Sequence, residues 1–320
     1  MNILIADSFP ETHTAALEQL GHQCTSSPGL DSDALPAAII GHDVLVVRST
    51  RVNADTLDAG QDLKLVIRAG AGTNTIDKQH AAEKGVRVCN VPGANAIAVA
   101  ELAMGLIIAI DRNIADNVDD LRQKRWNKKK FSVARGLYGQ KLGILGLGAI
   151  GMALADRARA FGMEVYGVTR PNRSDAARKR ISDAGIKELQ TFEQVAATCD
   201  IISLHLPAVD DTRKMVNRDF LGQMKPGAIL INTSRGELID EEALIEAMDE
   251  RGIRAGLDVY ANEPSSAQCE FECGIGAHPN VVGTHHIGAS TTQAQIAFAD
   301  GVIEVLKAFE RGETLNCVND

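Results

Sequence analysis

Three short phrases in the second half of the chain carry side chains suited to acid–base chemistry and anion binding. They are N-T-S-R-G with Arg235, D-V-Y-A-N-E-P with Glu263, and H-H-I-G with His286. An imidazole titrates near neutrality, so His286 is suited to take a proton from a hydroxyl group and return it. Glu263 is suited to orient that ring and stabilise its charged form. Arg235 offers a planar fork for a carboxylate.

Together these side chains suit reversible hydride transfer at a carbonyl beside a carboxylate. Each one also has a structural alternative. His286 alone would fit a hydrogen-bonded core histidine, Glu263 a loop boundary and Arg235 the end of a strand. The neighbouring His285 leaves open which imidazole acts. The combination, with the dinucleotide fingerprint upstream, favours a catalytic site.

That fingerprint is G-L-G-A-I-G, which joins a predicted buried strand to the start of a helix. Gly146 permits the tight turn, Gly148 lets a pyrophosphate approach the backbone, and Gly151 allows close packing of helix on strand. The amides of Ala149 and Ile150 would face the phosphates. A glycine-rich structural turn is the alternative, and the strand–turn–helix context favours a dinucleotide site.

The next predicted strand ends at Thr169 and Arg170, where an acidic residue commonly binds the adenosine ribose hydroxyls. Without that carboxylate a ribose 2′-phosphate is not repelled, and Arg170 and Arg173 are placed to bind it. The sequence therefore favours NADP(H) use, with NAD(H) still open. The alternative is that both arginines are solvated loop residues.

Composition excludes several classes of protein. The 320 residues carry 33 basic and 42 acidic side chains, a net charge of −9, which argues against broad nucleic-acid affinity. The longest apolar run, Ala96–Ile110, falls short of the ~20 residues that cross a bilayer, and the N-terminus favours a strand over a signal peptide. Six scattered cysteines fit a reducing cytoplasm. The expected partner is a small anionic acid, with no nucleic acid and no membrane.

Cys269, Cys273 and His278 are close enough in sequence to suggest a metal site. Their spacing lacks the paired ligand sets of common zinc sites, so no metal is expected.

Short apolar runs alternate with helix-length segments along the chain. The predicted strands of the first part are Asn2–Ala6, Val44–Arg48, Leu65–Ile67 and Arg87–Cys89, with helices at Pro10–Leu20 and Asp77–Lys84. Those of the second part are Lys141–Leu145, Glu164–Val168, Ile201–Leu204, Ala228–Asn232, Ala255–Leu257 and Val281–Gly283. Strands separated by helices favour βαβ units. The sequence therefore predicts an α/β protein with two doubly wound parallel-sheet lobes.

Two further segments set the domain boundaries. A long apolar helix over Ala96–Ile110 precedes a polar arm, Asp111–Gln140. Ser290, three residues before Gln293, predicts a capping box that starts a final helix ending near Phe309. That helix is expected to pack on the first lobe. The prediction is a substrate-binding domain of residues 1–96 and 288–320, a dinucleotide-binding domain of residues 97–287, and a ligand cleft between them.

Over essentially its whole length the chain resembles the D-isomer-specific 2-hydroxyacid dehydrogenases. The resemblance rests on L-G-I-L-G-L-G-A-I-G, C-D-I-I-S-L-H-L-P, M-K-P-G-A-I-L-I-N-T-S-R-G, G-L-D-V-Y-A-N-E-P and T-H-H-I-G-A-S-T. Within the family, the chain is most similar to the branch that interconverts 3-phosphoglycerate and 3-phosphohydroxypyruvate in serine biosynthesis. That similarity rests on V-V-R-S-T-R-V, R-A-G-A-G-T-N-T-I-D, W-N-K-K-K-F and H-I-G-A-S-T-T-Q-A-Q. The resemblance implies a Rossmann domain inserted into a flavodoxin-like substrate domain.

Residue roles follow from the resemblance. It implies that Arg235, Glu263 and His286 are catalytic. The implied cofactor-binding residues are Ala71, Gly146, Gly148, Ala149, Ile150, Gly151, Thr169, Arg170, Leu206, Pro207, Thr212, Thr233, Asp258 and Gly288. The candidate substrate-binding residues are Arg48, Arg68, Ala71, Gly72, Asn95, Arg235 and His286.

The chain departs from the family pattern at three places. Thr169 replaces the usual acidic residue, and His285 replaces the usual proline before the catalytic histidine. The sequence ends at Asp320, so neither a C-terminal regulatory domain nor serine feedback through one is expected.

Substrate identity stays open at this point. A substrate phosphate needs cations beyond Arg235, and Arg48, Arg51 and Arg68 lie at predicted strand ends or turns, with Lys128–Lys130 in the arm. Such an arm, by resemblance, reaches across a dimer, so a homodimer or a higher homo-oligomer is expected. The alternatives are a glyoxylate or hydroxypyruvate reductase and, from a different class, a nucleotide-sensing corepressor.

Overall fold

The computed structural model describes residues 1–264 and 268–319 and divides the chain into two compact units. Unit 1 comprises Met1–Asn95 and Ala289–Asp320, and unit 2 comprises Ala96–Gly288. Each unit is an α/β structure built on a parallel sheet. Within the described ranges, no helix combines the length and the apolar character needed to cross a membrane.

The described part of unit 1 holds a five-stranded parallel sheet in the order β2-β1-β3-β4-β5. Its strands are β1 (Asn2–Ile5), β2 (Gln23–Ser26), β3 (Val44–Val47), β4 (Leu65–Arg68) and β5 (Arg87–Asn90). Its helices are α1 (Glu11–Gln19), α2 (Leu35–Ala38), α3 (Ala54–Ala59), α4 (Lys78–Glu83) and α12 (Thr292–Glu310). This strand order is that of flavodoxin-like folds.

The central strands of unit 1 are apolar because both faces of the sheet are covered. Leu4, Leu45, Val66 and Val88, from four adjacent strands, are buried in one cluster. On the opposite face α12 packs closely, since a Cβ on Gly301 would lie 2.2 Å from Val91 Cγ1. The last helix is thus part of the first unit.

The predicted capping box at Ser290 is wrong. Thr291, with extended backbone, is the N-cap of α12, and its hydroxyl accepts a hydrogen bond from Ala294 N at 3.1 Å. The helix therefore starts one residue later than a cap at Ser290 requires.

In unit 2, the described residues form a seven-stranded parallel sheet in the order β12-β11-β10-β9-β6-β7-β8. The strands are β6 (Lys141–Leu145), β7 (Glu164–Val168), β8 (Lys187–Leu189), β9 (Ile201–Leu204), β10 (Ile229–Asn232), β11 (Arg254–Leu257) and β12 (Val281–Gly283). The helices are α5 (Ala96–Asp111), α6 (Ile114–Arg122), α7 (Ala149–Ala160), α8 (Asp175–Asp183), α9 (Phe192–Thr198), α10 (Arg218–Gln223) and α11 (Glu241–Arg251). The order reverses at β6, the topological switch point where a dinucleotide binds in Rossmann folds.

The predicted polar arm contains a helix that its composition did not reveal. α6 occupies Ile114–Arg122, and turns and irregular backbone follow to Gln140. The carboxylate of Asp111 joins the two ends of this segment, because it accepts hydrogen bonds from Arg135 N and Gly136 N at 3.2 and 3.1 Å. Asp111 is buried although it lies at the end of α5.

Candidate active site

A histidine–carboxylate pair lies on the loops that follow β11 and β12. His286 Nδ1–H donates to Glu263 Oε2 at 2.7 Å, and Glu263 Oε1 accepts a hydrogen bond from Tyr260 N at 2.8 Å. Both carboxylate oxygens are therefore engaged, which fixes the orientation of Glu263. The pairing leaves His286 Nε2 as the proton-accepting nitrogen of the neutral ring.

Asp258 holds the loop that carries His286. Its side chain is buried and accepts hydrogen bonds from Thr284 Oγ1 at 2.6 Å, Ile287 N at 2.8 Å and Gly288 N at 2.9 Å. The backbone N–H of His286 also donates to Asp258 O at 2.8 Å. His286 has a φ of +51°, which few residues other than glycine adopt, and these bonds hold it there.

Arg235 lies on the turn that follows β10, and its Nη1 donates to Ser234 O at 2.6 Å. Asn232 closes this turn, because its amide donates to Arg235 O at 2.8 Å and accepts from Ser234 N at 3.0 Å. The next residue, Gly236, packs on the loop of Glu263: a Cβ there would lie 2.0 Å from the carbonyl carbon of Tyr260. Glycine at this position is needed for the two loops to approach so closely.

The charges of the three side chains are coupled. The hydrogen bond to Glu263 raises the pKa of His286 above its ordinary value, against the opposing effect of burial. Burial acts to raise the pKa of Glu263, but the hydrogen bonds from His286 and Tyr260 N outweigh it and the pKa is lowered. The Arg235 charge lowers both pKa values. The site thus favours an imidazolium beside a carboxylate.

The adjacent histidine has a different environment. Both histidines are exposed, but among the described residues the side chain of His285 has no hydrogen-bond partner. The pairing with Glu263 belongs to His286. The contact with Glu263 therefore distinguishes His286 from its neighbour.

The glycine fingerprint connects β6 to α7 and fits a dinucleotide phosphate. Gly146 has a φ of +110°, and a Cβ there would lie 2.2 Å from His205 O. A Cβ on Gly151 would lie 2.0 Å from Gly146 O, whereas one on Gly148 would meet no described atom within 4 Å. The space above Gly148 is therefore open. The N-cap of α7 is Gly148, which has no side chain to cap the helix, so the amides of Ala149 and Ile150 are available to an anion.

The end of β7 and the turn after it carry two candidate arginines. Arg170 is exposed and has no side-chain partner within the described ranges, as an anion-binding residue requires. Arg173, in contrast, forms an ion pair with Glu188 of β8 and donates to Val168 O at 2.7 Å. Arg173 is therefore already engaged within unit 2, and its binding of a ribose 2′-phosphate stays a prediction. Glu188 was missed because its partner lies on a different element.

The loop after β9 and the turn after β10 hold four further candidates. Leu206 is buried, and the Thr212 hydroxyl donates to Pro207 O at 2.6 Å and so folds the loop. Thr233 is buried, and its hydroxyl has no hydrogen-bond partner among the described residues. Because a buried hydroxyl normally has a partner, Thr233 has the character of a ligand-binding group.

Unit 1 carries its candidates at the carboxyl edge of its sheet. Arg48 follows β3, and Arg68 ends the adjacent strand β4. Asp7, which sequence analysis did not single out, organises the turn after β3 by accepting hydrogen bonds from the backbone N–H groups of residues 48–50. These bonds keep the pKa of Asp7 low although burial acts to raise it. The edge therefore combines an ordered turn with arginines.

The remaining unit 1 candidates lie near β5. The Asn90 amide donates to Ala71 O at 2.6 Å, which fixes the turn that contains Gly72. The amide oxygen of Asn95 has no hydrogen-bond partner in the described chain.

The three arm lysines, 128–130, are exposed, and Lys130 lies 3.9 Å from an Asp120 carboxylate oxygen. His278 contacts Asp249 at 3.2 Å, and within residues 1–264 and 268–319 no cluster of three or more His, Cys, Asp or Glu side chains suits a metal ion.

Seven parallel strands with a glycine-rich switch point and a histidine–glutamate pair define a dinucleotide-dependent α/β protein. Residues 104–288 match the family described as D-isomer specific 2-hydroxyacid dehydrogenase, NAD binding domain. The chain belongs to this family, and its cofactor is a nicotinamide dinucleotide.

Individual relatives agree with this assignment. D-3-phosphoglycerate dehydrogenase of Methanocaldococcus jannaschii is 39% identical across 100% of this chain, which spans 59% of that protein. Hydroxypyruvate reductase of Thermotoga maritima is 43% identical over 84% of this chain and 85% of its own length. The TT0316 protein of Thermus thermophilus has a similar structure, with a TM-score of 0.86 and 31% identity over 99% of this chain and 100% of its own.

Proposed function

We propose that the chain is an NAD(P)-dependent dehydrogenase of D-2-hydroxy acids, with His286 as the acid–base residue, Glu263 as its partner and Arg235 as the carboxylate anchor. The observation that carries this proposal is the 2.7 Å bond between His286 and Glu263, both electrostatically coupled to Arg235. A corepressor needs no such proton-transfer pair. Turnover by the purified protein separates the two classes, since nucleotide binding without turnover of any 2-keto acid would favour the corepressor.

In the proposed oxidation, His286 Nε2 takes the proton of the substrate hydroxyl. Glu263 stabilises the resulting imidazolium, which is consistent with the raised pKa of His286. Arg235 binds the substrate carboxylate and polarises the carbonyl oxygen as it forms. In reduction the same imidazolium returns the proton. Glu263 and Arg235 keep their charges in both directions, so His286 is the one protein group that gains or loses a proton.

The residues that would hold the nicotinamide dinucleotide are the Gly146–Gly151 turn and the α7 amides for the pyrophosphate, with Thr233 lining the site. The open space over Gly148 and the unpartnered Thr233 hydroxyl support this assignment. When bound, the nicotinamide supplies hydride exchange with the substrate carbon. Asp258 has both oxygens engaged in the His286 loop, so we assign it chiefly to positioning.

We further propose NADP(H) as the preferred cofactor. Thr169 brings no carboxylate to repel a 2′-phosphate, and Arg170 is exposed to meet it. A higher kcat/KM with NADH than with NADPH would contradict this preference.

For the substrate we propose 3-phosphoglycerate and 3-phosphohydroxypyruvate, which would place the reaction in serine biosynthesis. The support is the pair of arginines at the ends of the adjacent strands β3 and β4, Arg48 and Arg68, with Arg51 on the Asp7-bound turn. A phosphate needs such cations in addition to Arg235. The relative from M. jannaschii carries the same named activity.

A second candidate is hydroxypyruvate or glyoxylate reduction. It is favoured by the 43% identity to the hydroxypyruvate reductase of T. maritima, because the match covers 85% of the length of that protein. Initial rates with 3-phosphohydroxypyruvate, hydroxypyruvate and glyoxylate, each with NADH and NADPH, decide between the candidates. A strong preference for the phosphorylated acid, lost in an Arg48→Ala variant, supports the first; equal or better rates with hydroxypyruvate support the second.

We also propose a homodimer and a cytoplasmic location. α6 exposes Ile114, Val118 and Leu121, which repeat at helical spacing, and the segment after it exposes Trp126 and Tyr138. A second copy of the chain is the occupant we propose for this face. Light scattering that gives a monomer mass at every concentration would reject the dimer.

A further inference from the structure

The C-terminal segment after α12 extends the sheet of unit 1 at its edge. Cys317 pairs with Cys89 of β5 in an isolated antiparallel bridge. Asn90 N donates to Asn316 O at 3.2 Å, and Val318 N donates to Val88 O at 2.9 Å. The edge strand β5 is thus covered by the tail.

The positions of these two hydrogen bonds define the type of pair. They join the residues on either side of Cys89 and Cys317, so the two cysteines occupy a non-hydrogen-bonded site of the ladder. At such a site the Cα atoms are about 4.5 Å apart and the side chains leave the same face. Disulfides span Cα separations of about 4.4–6.8 Å. The backbone therefore has disulfide spacing before any bond forms.

Both side chains are in the thiol form, and they differ in exposure. Cys89 is 2% exposed, whereas Cys317 is partly exposed and donates its S–H to Asn319 Oδ1 at 3.3 Å. The same amide oxygen accepts a hydrogen bond from Val88 N at 2.8 Å, and Asn319 Nδ2 donates to Val86 O at 2.9 Å. The tail is therefore fixed on β5 on both sides of Cys317.

We propose that Cys89 and Cys317 are a redox modification site that forms a reversible intramolecular disulfide on exposure to a peroxide. Rotation about the Cα–Cβ bond of Cys317 turns its sulfur from Asn319 toward Cys89. The inference is independent of the proposed catalytic activity, because both residues belong to the sheet edge of unit 1.

The exposure difference sets the order of the reaction. The peroxide oxidises the accessible Cys317 sulfur to a sulfenic acid and is reduced to water. The Cys89 sulfur then attacks the sulfenic sulfur; the S–S bond forms, the S–O bond breaks, and the leaving hydroxide takes the Cys89 proton as water. In sum, two thiols lose two protons and two electrons, and one peroxide becomes two waters. A small dithiol restores both thiols by exchange.

The bond would fix the tail to β5 covalently. It closes a very long loop of chain, so it restricts the unfolded chain strongly. We expect the oxidised protein to melt at least about 3 °C higher than the reduced protein. Dithiothreitol should reverse that shift.

The test is peptide mapping of the whole protein after mild treatment with hydrogen peroxide. Trypsin releases residues 88–112, with Cys89 as the single cysteine, and a peptide that begins at Gly312 and contains Cys317. The expected product is the two peptides joined, lighter than their sum by two hydrogen atoms and separated by dithiothreitol. Cys317→Ser should abolish both the joined peptide and the melting shift. Cys24→Ser, on strand β2, should preserve both.

Three results would overturn the proposal. One is conversion of Cys317 to sulfinic or sulfonic acid without any joined peptide. Another is a joined peptide that contains Cys269 or Cys273 in place of Cys317. The third is an equal melting shift in the Cys317→Ser and unaltered proteins, which would assign the shift to another oxidised residue. Circular dichroism of the reduced variants checks that the serine substitutions leave the fold intact.

Discussion

Gly236 lies so close to Tyr260 that a Cβ at residue 236 would be 2.0 Å from the Tyr260 carbonyl carbon and 2.2 Å from its oxygen. Both neighbours are backbone atoms, which no side-chain rotation can remove. This contact packs the turn of Arg235 on the loop of Glu263. The spacing between guanidinium and carboxylate thus depends on a residue that has no functional group.

Gly236→Ala should therefore separate the two loops. We expect a loss of about 1–3 kcal/mol in the free energy of unfolding and a lower kcat/KM for the 2-keto acid, measured by denaturant titration and initial rates. Gly222→Ala is the matched control, because a Cβ there would have no atom of the described residues within 4 Å. Equal behaviour of the two variants would show that the loop contact is unimportant.

His286→Gln should reduce turnover by about a hundredfold or more, since the acid–base group is lost. Nicotinamide dinucleotide binding, measured by fluorescence titration, should persist because the loop is held by Asp258. His285→Gln is the control and should keep most of the activity. The reverse pattern, an active His286 variant and an inactive His285 variant, would assign catalysis to the other imidazole.

The pH dependence should follow the raised pKa of His286. Oxidation needs the neutral imidazole, so its rate falls as the pH drops through that raised pKa; reduction needs the imidazolium and falls as the pH rises through it. Glu263→Gln removes the main cause of the shift, so both limbs should move to lower pH, with kcat reduced about tenfold or more.

Glu241→Gln is the control for this pH experiment. It removes another carboxylate that binds the same loop, at Ala261 N, without contact to His286. Its pH profiles should match those of the unaltered protein. If the pH–rate profiles of Glu263→Gln rise and fall at the same pH as those of the unaltered protein, the electrostatic role assigned to Glu263 is refuted.

Glu188→Gln should release Arg173 from its ion pair at the end of β7. If Arg173 then meets a ribose 2′-phosphate, the ratio of kcat/KM for NADPH to that for NADH should rise about fivefold, the value of an ion pair of ~1 kcal/mol. The double variant Glu188→Gln/Arg173→Ala should lose that gain. A ratio that rises equally in the double variant would exclude Arg173 as the cause.

The sequence predicted the apolar strands well, because burial on both faces leaves continuous Val, Ile and Leu runs. β6, β7, β9 and β12 lie at the predicted residues. β2 and β8 escaped prediction because Q-C-T-S and K-E-L have no apolar pattern; pairing at the sheet edge forms them.

In the candidate site, too, the sequence did not predict the contacts that depend on tertiary structure. Residue types and phrases identified Arg235, Glu263 and His286, but their support depends on contacts between distant segments. The bonds from the Thr284–Gly288 loop to Asp258, the Gly236–Tyr260 contact and the Arg173–Glu188 pair each join separate elements. Such contacts have no local signature, so the structure was needed to find them.

Unit 1 takes its last helix from beyond unit 2 in the chain, and this order constrains synthesis on the ribosome. The nascent chain presents residues 96–288 before α12 exists, so unit 2 can fold while the first sheet still lacks the helix that covers Val91. In ribosome-bound intermediates, the sheet of unit 2 should therefore become resistant to protease earlier than the sheet of unit 1.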